Sequence, residues 1–314
     1  MRNDSSPSPD VDAATAARRR RGFLLGLGAA LIWGGYLGFA RAGVVDGLRP
    51  EDFVLLRFGV ASIVMLPYLV WRGVKDLAGV GWGRGVVMAL CAGPFFMLLI
   101  PAGFMFAPLA HGAVIPPSST TVSSMILAAI VLRDRPSPTR ILAVGMILAG
   151  LVCIAGSGFF AETGRRAWIG DLMFAAAGFL WAIFTVLQMR WRIGPMQATT
   201  AIAIVSLVML LPPYLLWSGF DRLLALPAPM LAAQIVIQGV LAGAVAVVAY
   251  SAAAVALGAS RAALFPALVP GTAILVGIPM TGEWPTPLQW IGVVIVIAGL
   301  ATALGLRIRR RAGR

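Results

Sequence analysis

Long apolar stretches, each about twenty residues in length and separated by short polar segments, run through most of this 314-residue chain. A helix needs about 20 predominantly apolar residues to cross a hydrocarbon core of about 30 Å. The pattern predicts ten such helices, over residues 22–40, 53–71, 85–106, 111–132, 140–157, 169–188, 196–217, 230–256, 262–281 and 287–306. Because the segments between them are too short for a soluble domain, we expect an all-α membrane protein that acts within the bilayer.

The composition and charge of the chain support this fold class. The chain is 60% hydrophobic and 12% charged, a profile that soluble proteins rarely show. Its formal charge of +13 does not indicate a nucleic-acid partner, because alternation through ten spans places both termini and most basic residues in the cytoplasm. We therefore predict a multi-pass protein of the cell (inner) membrane, with the lipid bilayer as its environment and both termini cytoplasmic.

The ends of the chain and its cysteines carry less information. Residues 1–21 form a polar tail that is predicted to be disordered, and residues 307–314 form a basic tail. The first apolar stretch is long and has later partners, which favours a retained helix over a cleaved secretory peptide. Cys91 and Cys153 fall in the middle of spans and are interpreted as small buried hydrophobes rather than as a disulfide.

An internal repeat divides the chain into two halves, residues 22–157 and 169–306, joined by a linker at 158–168. A shift of 149 residues aligns Asp134 with Glu283, Pro136 with Pro285, and Gly150 with Gly299. A shift of 148 residues superimposes Trp33 on Trp181. Each half holds five predicted spans, and because five is odd, the second half must enter the membrane in the opposite orientation. Such inverted repeats are typical of secondary transporters.

Several phrases carry a resemblance to a known family. They are "LIWGGYLGFAR" in the first span, "LLRFG" in the second, "GDLMFAAAGFLWAIFTVLQMR" in the sixth and "LVPGTAILVGIPMTGEWPTPLQWIGVVIVIAGL" across the last two. Over residues 22–306 the chain resembles the EamA-type branch of the drug/metabolite transporter superfamily. In the first half it departs from the family pattern, because Asp134 replaces the usual Glu and Thr121 stands at an expected proline.

The resemblance implies a ten-helix fold of two inverted five-helix repeats around a central cavity. It also implies the movement of small organic metabolites, often outward. Proton antiport is implied by the resemblance alone, since no Asp or Glu lies centrally in any predicted span. Asp171 comes nearest to a central position, and His111 at the start of span four is predicted to have an interfacial or packing role.

Prolines in spans four and nine indicate a candidate substrate site. Freed backbone groups are tolerated in a membrane where they are buried in protein or line a cavity. Breaks at corresponding positions of two halves are typical of transporter binding sites. The candidates from these breaks are Pro117, Ser118, Ser119, Thr120, Pro266 and Pro270. The alternative for each hydroxyl is a bond to a backbone carbonyl that packs helices.

Aromatic and polar side chains add further candidates for the cavity. Trp33, Tyr36, Trp181 and Tyr250 are amphipathic aromatics, although interfacial belts are their common alternative location. Arg57 either attracts an anionic substrate group or snorkels to the outer surface. Gln238, midway along span eight, is a further candidate.

The two "x-Pro-x-Pro" phrases at span ends are interpreted as structural hairpins. Their residues are Asp134, Pro136, Glu283 and Pro285. At a span end a carboxylate stays hydrated or caps the following helix, and proline fits the first helical turn. We expect these residues to contribute to folding rather than directly to transport.

Other function classes find no support in the sequence. There is no H-E-x-x-H, no G-x-S-x-G and a single histidine, so no catalytic residues, metal site or cofactor are predicted. Lys75 is the only lysine and does not follow a phosphate-binding loop. We predict a secondary transporter, an exporter of a small amino-acid-like or drug-like metabolite by alternating access. The alternative is a non-transporting multi-pass scaffold or receptor, and the GxxxG phrases "GFLLG" and "GGYLG" indicate close packing or, secondarily, a homodimer.

Overall fold

A computed structural model of the chain describes residues 9–45, 47–107, 109–159, 166–273, 275 and 286–304. These residues form helices and their connections, with no strand among them. The helices are α1 (Pro9–Val45), α2 (Pro50–Arg72), α3 (Trp82–Ala92), α4 (Pro94–Phe104), α5 (Leu109–Val131), α6 (Pro138–Ala155), α7 (Ala167–Arg190), α8 (Pro195–Trp217), α9 (Asp221–Leu224), α10 (Ala228–Gln234), the π-helical segment Ile235–Val245, α11 (Ala246–Leu257), α12 (Ala259–Ala262) and α13 (Pro287–Leu304). Short 3-10 turns lie at Leu77–Gly79, Gly156–Phe159 and Phe265–Leu268.

Eight helical stretches of the described residues are long and apolar enough to cross a membrane. They are Pro50–Arg72, Trp82–Phe104, His111–Val131, Pro138–Ala155, Ala167–Arg190, Pro195–Trp217, Ala228–Leu257 and Pro287–Leu304. These stretches correspond to predicted spans two to eight and ten. The first predicted span falls within α1, and the ninth lies partly outside the described residues. The number ten therefore stays a prediction.

Helix α1 begins at Pro9, inside the segment for which the composition predicts disorder. Residues 1–8 of that segment lie outside the described part of the chain. The phrase "DAATAARRRR" is rich in Ala and Arg, which have high helix propensity, and it extends a helix that the apolar span already nucleates. Arg18 Nη2 donates a hydrogen bond of 2.9 Å to the carbonyl oxygen of Val255 and so joins this extension to α11.

Two of the membrane-length stretches depart from a regular α-helix. The first is broken at Gly93 between α3 and α4, where a side chain would collide with the Ala89 carbonyl and the Ser206 hydroxyl. The second contains the π-helical segment Ile235–Val245 between α10 and α11. Because π-helical turns are rare and frequently occur at functional sites, the second stretch is the more informative of the two.

Helices α6 and α13 pack closely through glycines. A Cβ atom added to Gly150 would lie 2.8 Å from the carbonyl oxygen of Gly292, and one added to Gly299 would lie 3.0 Å from that of Ala143. The lower-numbered end of this α6 segment therefore lies beside the higher-numbered end of the α13 segment, so the two helices run antiparallel. The two contacts also exchange when residue numbers are shifted by 149.

Candidate functional site

Three aromatic side chains meet in the middle of the bundle. Trp33 of α1 lies 5.4 Å from Trp181 of α7 and 5.6 Å from Tyr250 of α11, measured between ring centroids. The rings of Trp181 and Tyr250 are 5.4 Å apart, and all three residues are buried. The tryptophans that the 148-residue shift superimposes are thus in direct contact, edge to face, where the two halves of the chain meet.

Beside these aromatic rings, one backbone carbonyl oxygen accepts hydrogen bonds from two side chains that belong to different helices. Trp33 Nε1 donates to the carbonyl oxygen of Ala242 at 3.3 Å, and Arg57 Nη2 donates to the same oxygen at 3.2 Å. The Arg57 guanidinium also lies over the ring of Tyr36, with Cζ 5.4 Å from the ring centroid. Ala242 belongs to the π-helical segment, as does Gln238. We call Trp33, Tyr36, Arg57, Trp181, Gln238, Ala242 and Tyr250 the central cluster.

Glycines of the π-helical segment bring Arg57 into the central cluster. A Cβ atom at Gly239 would lie 2.9 Å from the Leu56 carbonyl oxygen, and one at Gly243 would lie 3.2 Å from Arg57 Cγ. The absence of these side chains lets α2 pack directly against the segment. The phrase "GVLAG" at residues 239–243 has GxxxG spacing, a signal that the sequence analysis missed.

Three buried donors of the central cluster lack an acceptor. Arg57 is 5% exposed, so its side chain does not snorkel to the surface. Its Nη1 atom, Gln238 Nε2 and Trp181 Nε1 have no hydrogen-bond partner in the described part of the chain. Most buried polar atoms in proteins are paired, and an unpaired one is unfavourable. These three donors are therefore candidates for contact with a ligand.

The hydroxyls of span four join α5 to α7. Ser119 Oγ donates to the Ala175 carbonyl at 2.7 Å, and Thr120 Oγ1 donates to the Gly178 carbonyl at 3.2 Å. Gly178 permits this approach, because a Cβ atom there would lie 2.8 Å from the Thr120 nitrogen. The observed bonds are those of helix packing, and a role for Ser119 and Thr120 in the substrate cavity stays a prediction.

The remaining proline-break candidates lie near two openings of the bundle. Pro117 and Ser118 belong to α5, and Ser118 lines a groove of about 420 Å³ between α5 and α6. Pro266 lies in a 3-10 turn, and Pro270 lies in the helical residues 269–273. An apolar crevice of about 360 Å³ lies beside them, between α1, α6, α13, residues 267–272 and Leu275.

Thr272 is a residue that the sequence analysis missed. Its hydroxyl donates to the Ala30 carbonyl at 3.1 Å, joining the helical residues 269–273 to α1. The shift of 148 residues that superimposes the tryptophans also superimposes Ala30 on Gly178, the acceptor of Thr120. The two halves therefore use the same kind of bond at corresponding carbonyls.

The first predicted hairpin holds an ion pair. Asp134 accepts hydrogen bonds from Arg140 Nη1 at 3.0 Å and from Ser260 Oγ at 3.3 Å. The cap of α6 is Ser137, whose Oγ accepts from the Arg140 backbone nitrogen, so Asp134 links the α5–α6 connection to α12 instead of capping. Pro136 lies in that connection, whereas Glu283 and Pro285 lie outside the described residues.

A second ionic network lies at the start of α2, and the sequence analysis did not anticipate it. Asp52 is fully buried and accepts hydrogen bonds from Tyr214 Oη at 2.6 Å and from Arg222 Nε at 2.9 Å. Arg222 Nη2 also lies 3.1 Å from Glu51 Oε1. The hydrogen bond to Asp52 raises the pKa of the Arg222 guanidinium. This network connects α2, α8 and α9.

A third polar contact joins His111 to Asp171. His111 Nδ1 lies 2.7 Å from Asp171 Oδ1, which connects the beginnings of α5 and α7. The sequence analysis considered the two residues separately, because sixty positions separate them along the chain.

Comparison with known proteins identifies the family. The EamA-like transporter family matches the chain twice, over residues 20–156 and 168–305. The chain belongs to the EamA-like transporter family. The resemblance deduced from its motifs is therefore confirmed, and the two matched ranges correspond to the two halves of the internal repeat. This EamA-like chain is a multi-pass membrane protein of transporter type.

Similar proteins agree with this family. An uncharacterized transporter of Archaeoglobus fulgidus is 26% identical over 274 residues, covering 86% of this chain and 92% of that protein. The uncharacterized transporter YwfM of Bacillus subtilis is 26% identical over 282 residues, covering 87% of this chain and 90% of that protein. A solved structure, titled only as the crystal structure of a protein, shares the fold with a TM-score of 0.71 and 19% identity. The match covers 91% of this EamA-like chain and 96% of that one.

Proposed function

We propose that this EamA-like protein is a secondary transporter of the cell (inner) membrane that exports a small organic metabolite by alternating access. The observation that carries the proposal is that the central cluster is built from both repeats. Trp33 and Arg57 come from the first repeat, and Trp181, Gln238 and Tyr250 come from the second. Transporter substrate sites typically lie at a repeat interface, on helices that are locally irregular. The π-helical segment supplies that irregularity.

The packing of α6 against α13 supports an inverted relation between the repeats. These helices hold the corresponding glycines, Gly150 and Gly299, and each glycine meets the backbone of the other helix. Because the helices run antiparallel and their contacts exchange under the 149-residue shift, the contact fits a two-fold axis in the membrane plane. Trp33 and Trp181, which correspond under the 148-residue shift, are also in contact, with one ring edge on the face of the other. Inverted-topology repeats are related by such an axis.

Two polar networks at opposite ends of the bundle support alternating access. With both termini in the cytoplasm, the Asp52–Arg222 pair lies at the outer face and the Asp134–Arg140 pair lies at the inner face. Each network joins helices of both repeats and includes a partly exposed side chain, Asp134 in the inner network and Arg222 in the outer one. Rigid-body motions of two halves proceed by breaking and re-forming such contacts. Opening one network while the other stays closed exposes the central cluster to one side at a time.

Solute retention in sealed vesicles tests this function. Purified protein is reconstituted into vesicles loaded with a defined mixture of amino acids, nucleobases, polyamines, monocarboxylates and cationic drugs, and mass spectrometry follows the retained solutes. We expect the wild type to lose at least one class faster than protein-free vesicles do. Gln238→Leu, which removes a buried donor of the central cluster, should slow that loss about tenfold, as a missing hydrogen bond to a charged group predicts.

Gln289→Leu is the matched control for the retention experiment. Gln289 exchanges hydrogen bonds with Thr286 at the exposed start of α13, away from the central cluster, so this variant should transport like the wild type. Equal retention of every class by wild-type and protein-free vesicles would contradict transport and favour the scaffold or receptor alternative.

A further inference from the structure

The charge of Arg57 is not neutralised within the described part of the chain. Arg57 takes part in none of the four ion pairs among those residues, and no hydrogen bond of the central cluster involves a carboxylate. A buried cation without a counter-charge is strongly unfavourable, and within a membrane span it indicates a functional site. An anion that enters the central cluster would supply the missing charge.

The donors near Arg57 indicate which acceptor group that anion carries. Nη2 is occupied by the Ala242 carbonyl, so Nη1 is the guanidinium atom that remains open to a ligand. Gln238 precedes Ala242 by four residues in the π-helical segment, which places it near the same side of that helix, and its Nε2 is also open. With Trp181 Nε1 there are three open donors, and the two oxygens of one carboxylate together offer about four acceptor sites for them.

We propose that the central cluster binds the carboxylate of a small organic monoanion, whose apolar part lies against Trp33 and Trp181, and that this monoanion is the transported metabolite. The statement that this monoanion is the transported metabolite rests on the proposed function. A carboxylate balances the single charge of Arg57, whereas a phosphate dianion would leave one negative charge uncompensated. The aromatic rings supply apolar contact area for the remainder of the molecule.

The same geometry disfavours amines and zwitterions. An ammonium group needs acceptors, and the carbonyl oxygen of Ala242 already accepts from both Trp33 and Arg57. Like-charge repulsion from Arg57 acts against any cation in the cluster. We therefore expect a monocarboxylate to bind more tightly than the amino acid or the amine that carries the same ring.

A matched series of probes tests the proposal on the full chain. Phenylacetate, phenylalanine, phenethylamine and phenyl phosphate share a phenyl ring and differ in charge. Binding is followed by quenching of tryptophan fluorescence and by thermal stabilisation in detergent micelles. Phenylacetate should bind at least tenfold more tightly than the other three, a ratio that a single buried ionic hydrogen bond supplies.

Three variants separate a ligand role of Arg57 from a structural one. Arg57→Gln should weaken phenylacetate binding about a hundredfold while its melting temperature stays equal to or above that of the wild type, because an unpaired buried charge is removed. Arg57→Lys keeps the charge but loses the planar fork, so binding should fall about tenfold. Arg72→Gln removes a charge from the exposed end of the same helix and should leave binding unchanged.

The outcomes of this experiment differ from those of the retention experiment. The carboxylate site would be overturned by equal binding of the four probes or by no binding of phenylacetate. It would also be overturned by an Arg57→Gln variant that melts at a lower temperature but binds phenylacetate as tightly as the wild type. Transport itself would survive that result if vesicles still lose amines or neutral solutes. Tight binding of phenylacetate without loss of any solute from vesicles would instead support the site and contradict the transport function.

Discussion

Gly150→Leu and Gly299→Leu should each lower the free energy of unfolding by about 3 kcal/mol, because overpacking a close helix contact has this order of effect. Each new side chain would meet the backbone of the facing helix, at Gly292 or Ala143, so α6 and α13 must separate. The two losses should agree within about 1 kcal/mol, since the contacts are related by the repeat.

Chemical or thermal unfolding in micelles, followed by tryptophan fluorescence, measures both losses. Gly145→Leu is the matched control on the same helix, because an added Cβ atom there meets nothing within 4 Å. We expect Gly145→Leu to be neutral or slightly stabilising, since leucine has a higher helix propensity than glycine. A large loss for only one of Gly150→Leu and Gly299→Leu would contradict the symmetric contact between the repeats.

Arg222→Met should lower the free energy of unfolding by about 2 to 3 kcal/mol. This variant leaves Asp52 buried without its cation, and removing one partner of a buried pair costs about 3–5 kcal/mol. The side chain of Arg222 is 25% exposed, so water reaches the site and the loss should lie at or below the lower end of that range.

A double-mutant cycle separates the ionic contact from the loss of packing. Combining Asp52→Asn with Arg222→Met should recover about 1 to 2 kcal/mol relative to the sum of the single losses, because the uncompensated charge is gone. Asp221→Asn is the control, since Asp221 is the exposed neighbour of Arg222 in α9 and should change stability by less than about 0.5 kcal/mol. Additive losses in the cycle would show that Arg222 does not stabilise Asp52.

The apolar pattern was sufficient to predict most of the helices, because a membrane span must be apolar along its whole length whatever it contacts. Spans two to eight and ten agree with helices of the structure to within a few residues. The pattern could not predict the π-helical segment. The sequence "IVIQGVLAGAV" is as apolar as its flanks, and the packing of α2 against Gly239 and Gly243 is a contact between residues far apart in the chain.

The site was predicted less completely than the fold. The repeat singled out Trp33 and Trp181 as corresponding residues, and the structure places them in contact. Asp52 was missed, because it is separated from Arg222 by 170 positions along the chain and no sequence pattern indicates the pair. The roles of the span-four hydroxyls could not be assigned from sequence. The sequence does not distinguish a serine or threonine that lines a cavity from one that hydrogen-bonds to a neighbouring helix. Only the folded structure shows that the carbonyls of Ala175 and Gly178 accept hydrogen bonds from these hydroxyls.

Cysteine accessibility at position 238 tests alternating access most directly. In a background without Cys91 and Cys153, Gln238→Cys is exposed to a membrane-impermeant thiol reagent added to one side of sealed vesicles at a time. Ile147→Cys, which is fully buried between α6 and α13, is the control and should react from neither side. We expect Gln238→Cys to react from both sides, more slowly in the presence of phenylacetate. Reaction from one side only, or from neither, would contradict a central site that opens alternately to the two faces of the membrane.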